Sequence, residues 1–90
     1  MRAVITVIGK DNVGILAKVS AVCAKYNANV TEVTQSVMQD LFAMIMLADI
    51  SSLNNEFVKL ADEMTALGEE LKLSIQTMHE DIFNSMHKIW

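Results

Sequence analysis

The strongest constraint on this chain is the order in which its hydrophobic periodicity changes. A β-branched run, "RAVITVI", reads as a first strand from Arg2 to about Ile8. Leu16, Val19, Cys23 and Tyr26 then recur at spacings of three and four, flanked by Ile15 and Val22, which predicts an amphipathic helix. "YNAN" ends it, with Asn27 suited to the left-handed conformation after a helix. "NVTEVTQSVM" and "LFAMIMLADI" read as two strands, and Gln39-Asp40 between them predicts a hairpin. "SSLNN" offers caps for a second helix, whose stripe is Phe57, Leu60, Ala61, Met64 and Leu67. Gly68 is either its C-cap or an interior glycine. From about Leu71 to Met78, Leu71, Leu73 and Ile75 alternate with Lys72, Ser74 and Gln76, predicting a last strand. A final helix over about 80–89 carries Ile82, Phe83, Met86 and Ile89 on one side.

The order βαββαβ with right-handed crossovers gives an α+β, ferredoxin-like sandwich over residues 1–90 as a single unit. Its four-stranded antiparallel sheet has two helices on one face, the first and third strands inside, and the second and fourth at the edges. The third strand is apolar on both sides, with Phe42, Met44 and Met46 opposed to Leu41, Ala43, Ile45 and Leu47. Two helices cover one side only. The C-terminal helix or a second subunit must therefore cover the other.

Composition removes whole classes of function. A net charge of −4 with one arginine, Arg2, argues against nucleic-acid phosphates, which need clustered Lys and Arg. Phe42 is the only strand aromatic, where RNA-recognition sheets need stacking platforms. One cysteine, Cys23, allows neither an internal disulfide nor a cysteine-based zinc cage, and it sits on the apolar helix stripe as buried filler. His79 and His87 stand eight apart, unlike a one-turn metal pair, and read as residues flanking the last helix. Asp49 reads as a strand-end cap, and Glu69-Glu70 and Glu80-Asp81 as solvated faces, the latter at a helix start. With no Ser/His/Asp or Cys/His set, no enzyme, cofactor or metal is expected. The first apolar run is too short for a signal peptide, and no run reaches about 18 residues, so a cytoplasmic, non-membrane protein is expected.

The functional signal is "GKDNVGILAKV", where the first strand turns into the first helix. A Walker loop needs Lys and Ser or Thr after its second glycine, but Gly14 precedes Ile15 and Leu16. A dinucleotide fingerprint needs glycine where Asp11 stands. What remains is geometry. A helix beginning at about Asn12 to Ile15 presents unpaired N–H groups and the positive end of its dipole. Gly14 permits close approach, and Asp11 can cap the helix or accept bonds from an amine. Such a site suits a small zwitterion; a tight turn that needs glycine for backbone reasons alone is the other account.

"GKDNVGILAKVS", "NANVTEVTQS", "LFAMIML" and "HEDIFNSMHKI" together resemble the ACT-domain family across essentially the whole chain. Within it, the likeness is to small stand-alone bacterial members of the UPF0237 type, related to the glycine-cleavage regulator. The resemblance implies a homodimer with amino-acid or similar small-ligand sites between subunits, the first loop of one chain facing strand edges of its neighbour. It carries over Asp11, Asn12, Val13, Gly14, Ile15 and Leu16 as the loop wall, and Asn29, Thr31 and Gln35 as the opposite wall. The chain departs from the family's common Asp-Arg-Pro-Gly form by placing Asn12 and Val13 in the middle. A regulatory sensor is thus expected, with a purely structural protein-interaction module as the alternative.

Overall fold

Four strands and two long helices account for most of the computed structural model, which describes residues 1–10 and 13–87, with side chains as far as Met86. The elements are β1 (Arg2–Gly9), α1 (Ile15–Lys25), β2 (Asn29–Met38), β3 (Leu41–Asp49), α2 (Phe57–Leu71), β4 (Ser74–His79) and α3 (Glu80–His87). All strand pairs are antiparallel, in the order β2-β3-β1-β4. The expected sandwich is therefore the observed one, with β1 and β3 inside. Gln39 takes a positive φ of 56° in the two-residue turn that joins Met38 to Leu41.

The register fixes which residues share a level. Gly9 pairs with Phe42, and Phe42 with Val37, so the exit of β1 and the hairpin lie at one end of the sheet. Arg2, Asp49 and Asn29 lie at the other. The face under α1 and α2 carries Ala3, Ile5 and Val7 of β1 and Phe42, Met44, Met46 and Ala48 of β3, all buried against Ile15, Val19, Cys23, Leu60 and Met64. Cys23 is filler, and burial pushes its thiol up to about 11.

The opposite face is half covered. Val4 points away from the main core yet is fully buried, because α3 packs on β1 and β4. Arg2, on the same face, holds the start of α3 through a two-point contact with Glu80. The β3 side of this face has no such cover: Leu41 and Ile45 stay exposed. Ile82 and Met86 of α3 are also exposed and Phe83 is half-buried, so the expected apolar stripe turns in only in part; Ile89 lies outside the described residues.

Several boundaries differ from the sequence reading for local reasons. In α1 the buried stripe is Ile15, Val19, Cys23 and Tyr26, while Leu16 is displaced to the surface. At the far end of α1, Asn27 does take a left-handed φ of 60°, and its N–H and that of Ala28 close on Ala24 and Cys23 carbonyls. None of "SSLNN" caps α2: the N-cap is Glu56, with no side-chain cap bond, and Asn54 bonds back to Lys25 and Tyr26 carbonyls instead. The helix runs through Gly68 to Leu71 and stops at left-handed Lys72, so β4 starts at Ser74 rather than Leu71. Gly68 is interior because a Cβ there would lie 2.8 Å from the Leu73 carbonyl oxygen and 3.2 Å from the Ile75 side chain.

The two helices are tied together at Glu63, which accepts from Lys25 Nζ at 2.9 Å and from the Tyr26 hydroxyl at 2.8 Å. Lys25, and then Tyr26, hold its carboxyl below the usual range. A depressed carboxyl stabilises the fold above its unfolded value of about 4.3 and loses that contribution as pH falls through the folded value. Glu63→Gln should therefore lower the melting temperature at pH 7 but leave it unchanged near pH 3, as read by circular dichroism. Gly68→Ala tests the close approach to Leu73. Mid-helix Gly→Ala normally gains up to about 1 kcal/mol, but the clash here should instead cost about 1–3 kcal/mol, measurable by urea denaturation.

Candidate functional site

The turn from β1 into α1 is built around a left-handed glycine. Gly14 is the N-cap of α1 with φ 71° and ψ 4°, a conformation that costs other residues about 1–2 kcal/mol. Its carbonyl accepts the Lys18 N–H at 3.0 Å, closing the first turn. A glycine cap brings no side-chain acceptor, and the first turn holds no acidic residue. The N–H groups of the first turn and the positive end of the dipole therefore face no acidic side chain of the first turn itself. A Cβ built on Gly14 meets nothing within 4 Å. The glycine is required by its backbone angle, as the tight-turn account has it, and the space beside it is open among the described residues.

The predicted loop wall divides. Val13 is 82% exposed and Leu16 is 39% exposed, flanking Gly14. Ile15 is buried in the core at 2% and offers a backbone N–H rather than a side chain. Asp11 and Asn12 lie outside the described residues. The helix begins at Ile15, the late end of the range read from the sequence, because Gly14 does not adopt helical angles.

The opposite wall divides as well. Gln35 pairs with Met44, which places it on the helix-covered face of β2 near the loop end. On that same face, Val33 and Val37 pair with Met46 and Phe42, yet both stay exposed because β2 is the edge strand. Sequence reasoning passed over these two valines; their alternation with Gln35 was the available signal. Thr31 sits at a register shift, and its hydroxyl donates to the Leu47 carbonyl at 3.3 Å. Asn29 pairs with Asp49 at the far end, eight residues from Val37 and so roughly 26 Å away along the strand. One chain does not bring Asn29 or Thr31 to Gly14.

The remaining chemically active side chains are occupied elsewhere. His79, expected at the surface or as a cap, instead stacks on Phe57 with ring centroids 4.1 Å apart and an interplanar angle of 25°. Its Nδ1 is buried without a hydrogen-bond partner, as is the Thr77 hydroxyl. His87 ends α3, and its side chain lies outside the described residues. Asp49 accepts from the Ser51 N–H at 2.8 Å, and its bonds to Ser51 hold its carboxyl below the usual range. Among the described residues no group of three His, Cys, Asp or Glu side chains could hold a metal ion.

Known proteins share this arrangement along the whole chain. The family model described as ACT domain matches residues 2–78. A UPF0237 protein of Listeria innocua is 51% identical over 89 residues, covering 99% of this chain and 100% of the relative. A UPF0237 protein of the archaeon Methanopyrus kandleri is 46% identical over 88 residues, covering 98% of each. Among solved structures, an ACT domain protein from Streptococcus pneumoniae superposes with a TM-score of 0.79 at 35% identity, covering 92% of this chain and 93% of that one. The chain belongs to the ACT domain family, among its small UPF0237 members.

Proposed function

We propose that the chain is a non-catalytic regulatory module that senses an amino acid or similar small metabolite at the interface of a homodimer. The observation that carries this reading is the space beside Gly14 at the N-terminus of α1, where a Cβ would meet no atom of the described residues within 4 Å. An amino acid offers a carboxylate to the first-turn amides, and its ammonium suits an acidic side chain such as Asp11. The bare loop encloses too little of such a ligand, since small-molecule sites bury about 70–90% of their guest.

A second copy supplies the missing wall. The outer edge of β2 is unpaired along ten residues, and Val33, Val37, Val13 and Leu16 stay exposed around it. Two β2 strands paired antiparallel about an axis between Val33 and Thr34 would set Asn29 opposite Met38 of the second copy. That pairing would carry Asn29 and Thr31 across to the neighbour's glycine loop. The residues that one chain holds about 26 Å apart then face each other across two.

The alternative, a structural module that holds another protein, is favoured by the half-covered sheet face with Leu41 and Ile45 exposed. No helix among the described residues is long and apolar enough to cross a membrane.

A thermal-shift panel of the twenty amino acids separates the two. At one hundred times Kd a ligand stabilises by about 2.7 kcal/mol, which raises the melting temperature by roughly 10 °C or more in a domain this small. Calorimetry on the hit should show one site per chain, and sedimentation should show a dimer that tightens with ligand. Gly14→Trp should abolish the ligand shift while leaving a folded dimer. A stable dimer with no response to millimolar amino acids would leave the interaction module. Gly14→Ala, which restores a Cβ at φ 71°, should cost about 1–2 kcal/mol without ligand present, read by urea denaturation.

A further inference from the structure

We propose an anion site between the exit of β1 and the turn from α2 into β4, at the same end of the sheet as the glycine loop but on its β4 side. It would take a small organic carboxylate with a branched apolar body. A cavity of about 490 Å³ lies there, lined by Gly9, Lys10, Leu71, Lys72 and Leu73. Two other described cavities, at Met1/His79 and at Val22/Leu67, measure about 240 and 210 Å³. Small-molecule sites run from about 300 to 1,000 Å³ and combine an apolar lining with a few placed polar groups. Of these three, only the β1/α2 cavity reaches that range.

Its charges are also uncommitted. Among the described basic side chains, Arg2 is spent on Glu80 and Lys25 on Glu63. Lys10 and Lys72 make no ion pair or hydrogen bond through their ammonium groups among the described residues, and both converge on this cavity. Glu70, on the same turn of helix, lines the cavity on the α1 side of α2 instead. The negative end of α2 is partly quenched, because the Gly68 carbonyl accepts from Leu73 N–H and the Glu69 carbonyl from Lys72 N–H.

Lys72 occupies this rim under conformational strain. It is the left-handed C-cap of α2, with φ 60° and ψ 43°, where glycine is the preferred residue. A chain selected for stability alone would place glycine there; lysine keeps a cation at the cavity mouth. Leu71 and Leu73 supply the apolar part of the same lining. A free inorganic anion would use only the charges, whereas a branched carboxylate would use both. The site lies on the β4 side of the sheet, away from β2, so it stays open in a dimer built through β2.

Titration of the ¹⁵N-labelled chain with 4-methylpentanoate, its neutral amide and inorganic phosphate tests this by chemical-shift perturbation. The carboxylate should move the amides of Gly9, Lys10 and Leu71 to Leu73 with a Kd of about 1 mM. The amide and phosphate should bind at least tenfold more weakly. Lys72→Gly should raise the melting temperature by several degrees while weakening carboxylate binding at least fivefold, and Lys10→Gln should weaken it without the gain in stability. Shifts no larger than those of the amide, equal binding of phosphate, or carboxylate binding unchanged in both variants would each overturn the proposal. In Lys72→Gly the amino-acid thermal shift of the glycine loop should persist while carboxylate binding weakens, so this site and the glycine-loop site fail distinguishably.

Discussion

Everything in this molecule hangs on β1 being buried on both faces. Ala3 and Ile5 enter the core under the helices while Val4, between them, is sealed by α3 from the other side, and all three are fully buried. A strand in that position has no freedom to slip, since a shift of one residue would exchange its two faces against two different covers. The loop that leaves it is therefore launched from a fixed point. Arg2 at one end anchors α3, and Gly9 at the other releases the chain toward Gly14. Precision at the start of the loop is inherited from this strand.

Gly14 and Gly68 do opposite work on this scaffold. Gly68 is silent about function: it lets the α2–β4 turn press against the helix, and a methyl group has no room. Gly14 has room for a side chain and is barred from one only by its backbone angle. A glycine with empty space around it leaves the backbone amides reachable. Gly68 is thus held to glycine by packing and Gly14 by its backbone angle.

The fold was legible because period and order are one-dimensional facts. Alternation in "LFAMIML" set Phe42, Met44 and Met46 on one face and Leu41 and Ile45 on the other, and the sheet buries the first set and leaves the second exposed. Boundaries were less legible where a single residue breaks a pattern. Leu73 continues the alternation of Ile75 in sequence, yet it follows a left-handed Lys72 and lies before the strand begins. Leu16 fits a helical stripe by spacing but loses its burial to Ile15, because the start of α1 fixes which residue faces the sheet. Stacking of His79 on Phe57 joins residues 22 apart, a tertiary contact that no local pattern announces. For the site, the loop was readable from its glycines. The separation of Asn29 from Gly14 was not, since it follows from strand register rather than composition.

The edge strands supply the last step. A long exposed edge is a liability that sheets usually blunt with lysine, proline or short length. At the β4 edge the strand is only six residues long. β2 uses neither of those residues and is not short: it runs ten residues with Glu32 as its one charge. It also leaves Val33 and Val37 exposed on the very face that α1 covers further in. An edge so unprotected persists in a well-behaved protein when something pairs with it, and a second β2 is the nearest matching partner. In the proposed dimer the same pairing would remove that liability and bring a neighbouring strand over the glycine loop, so one surface feature would serve both the proposed assembly and the proposed enclosure.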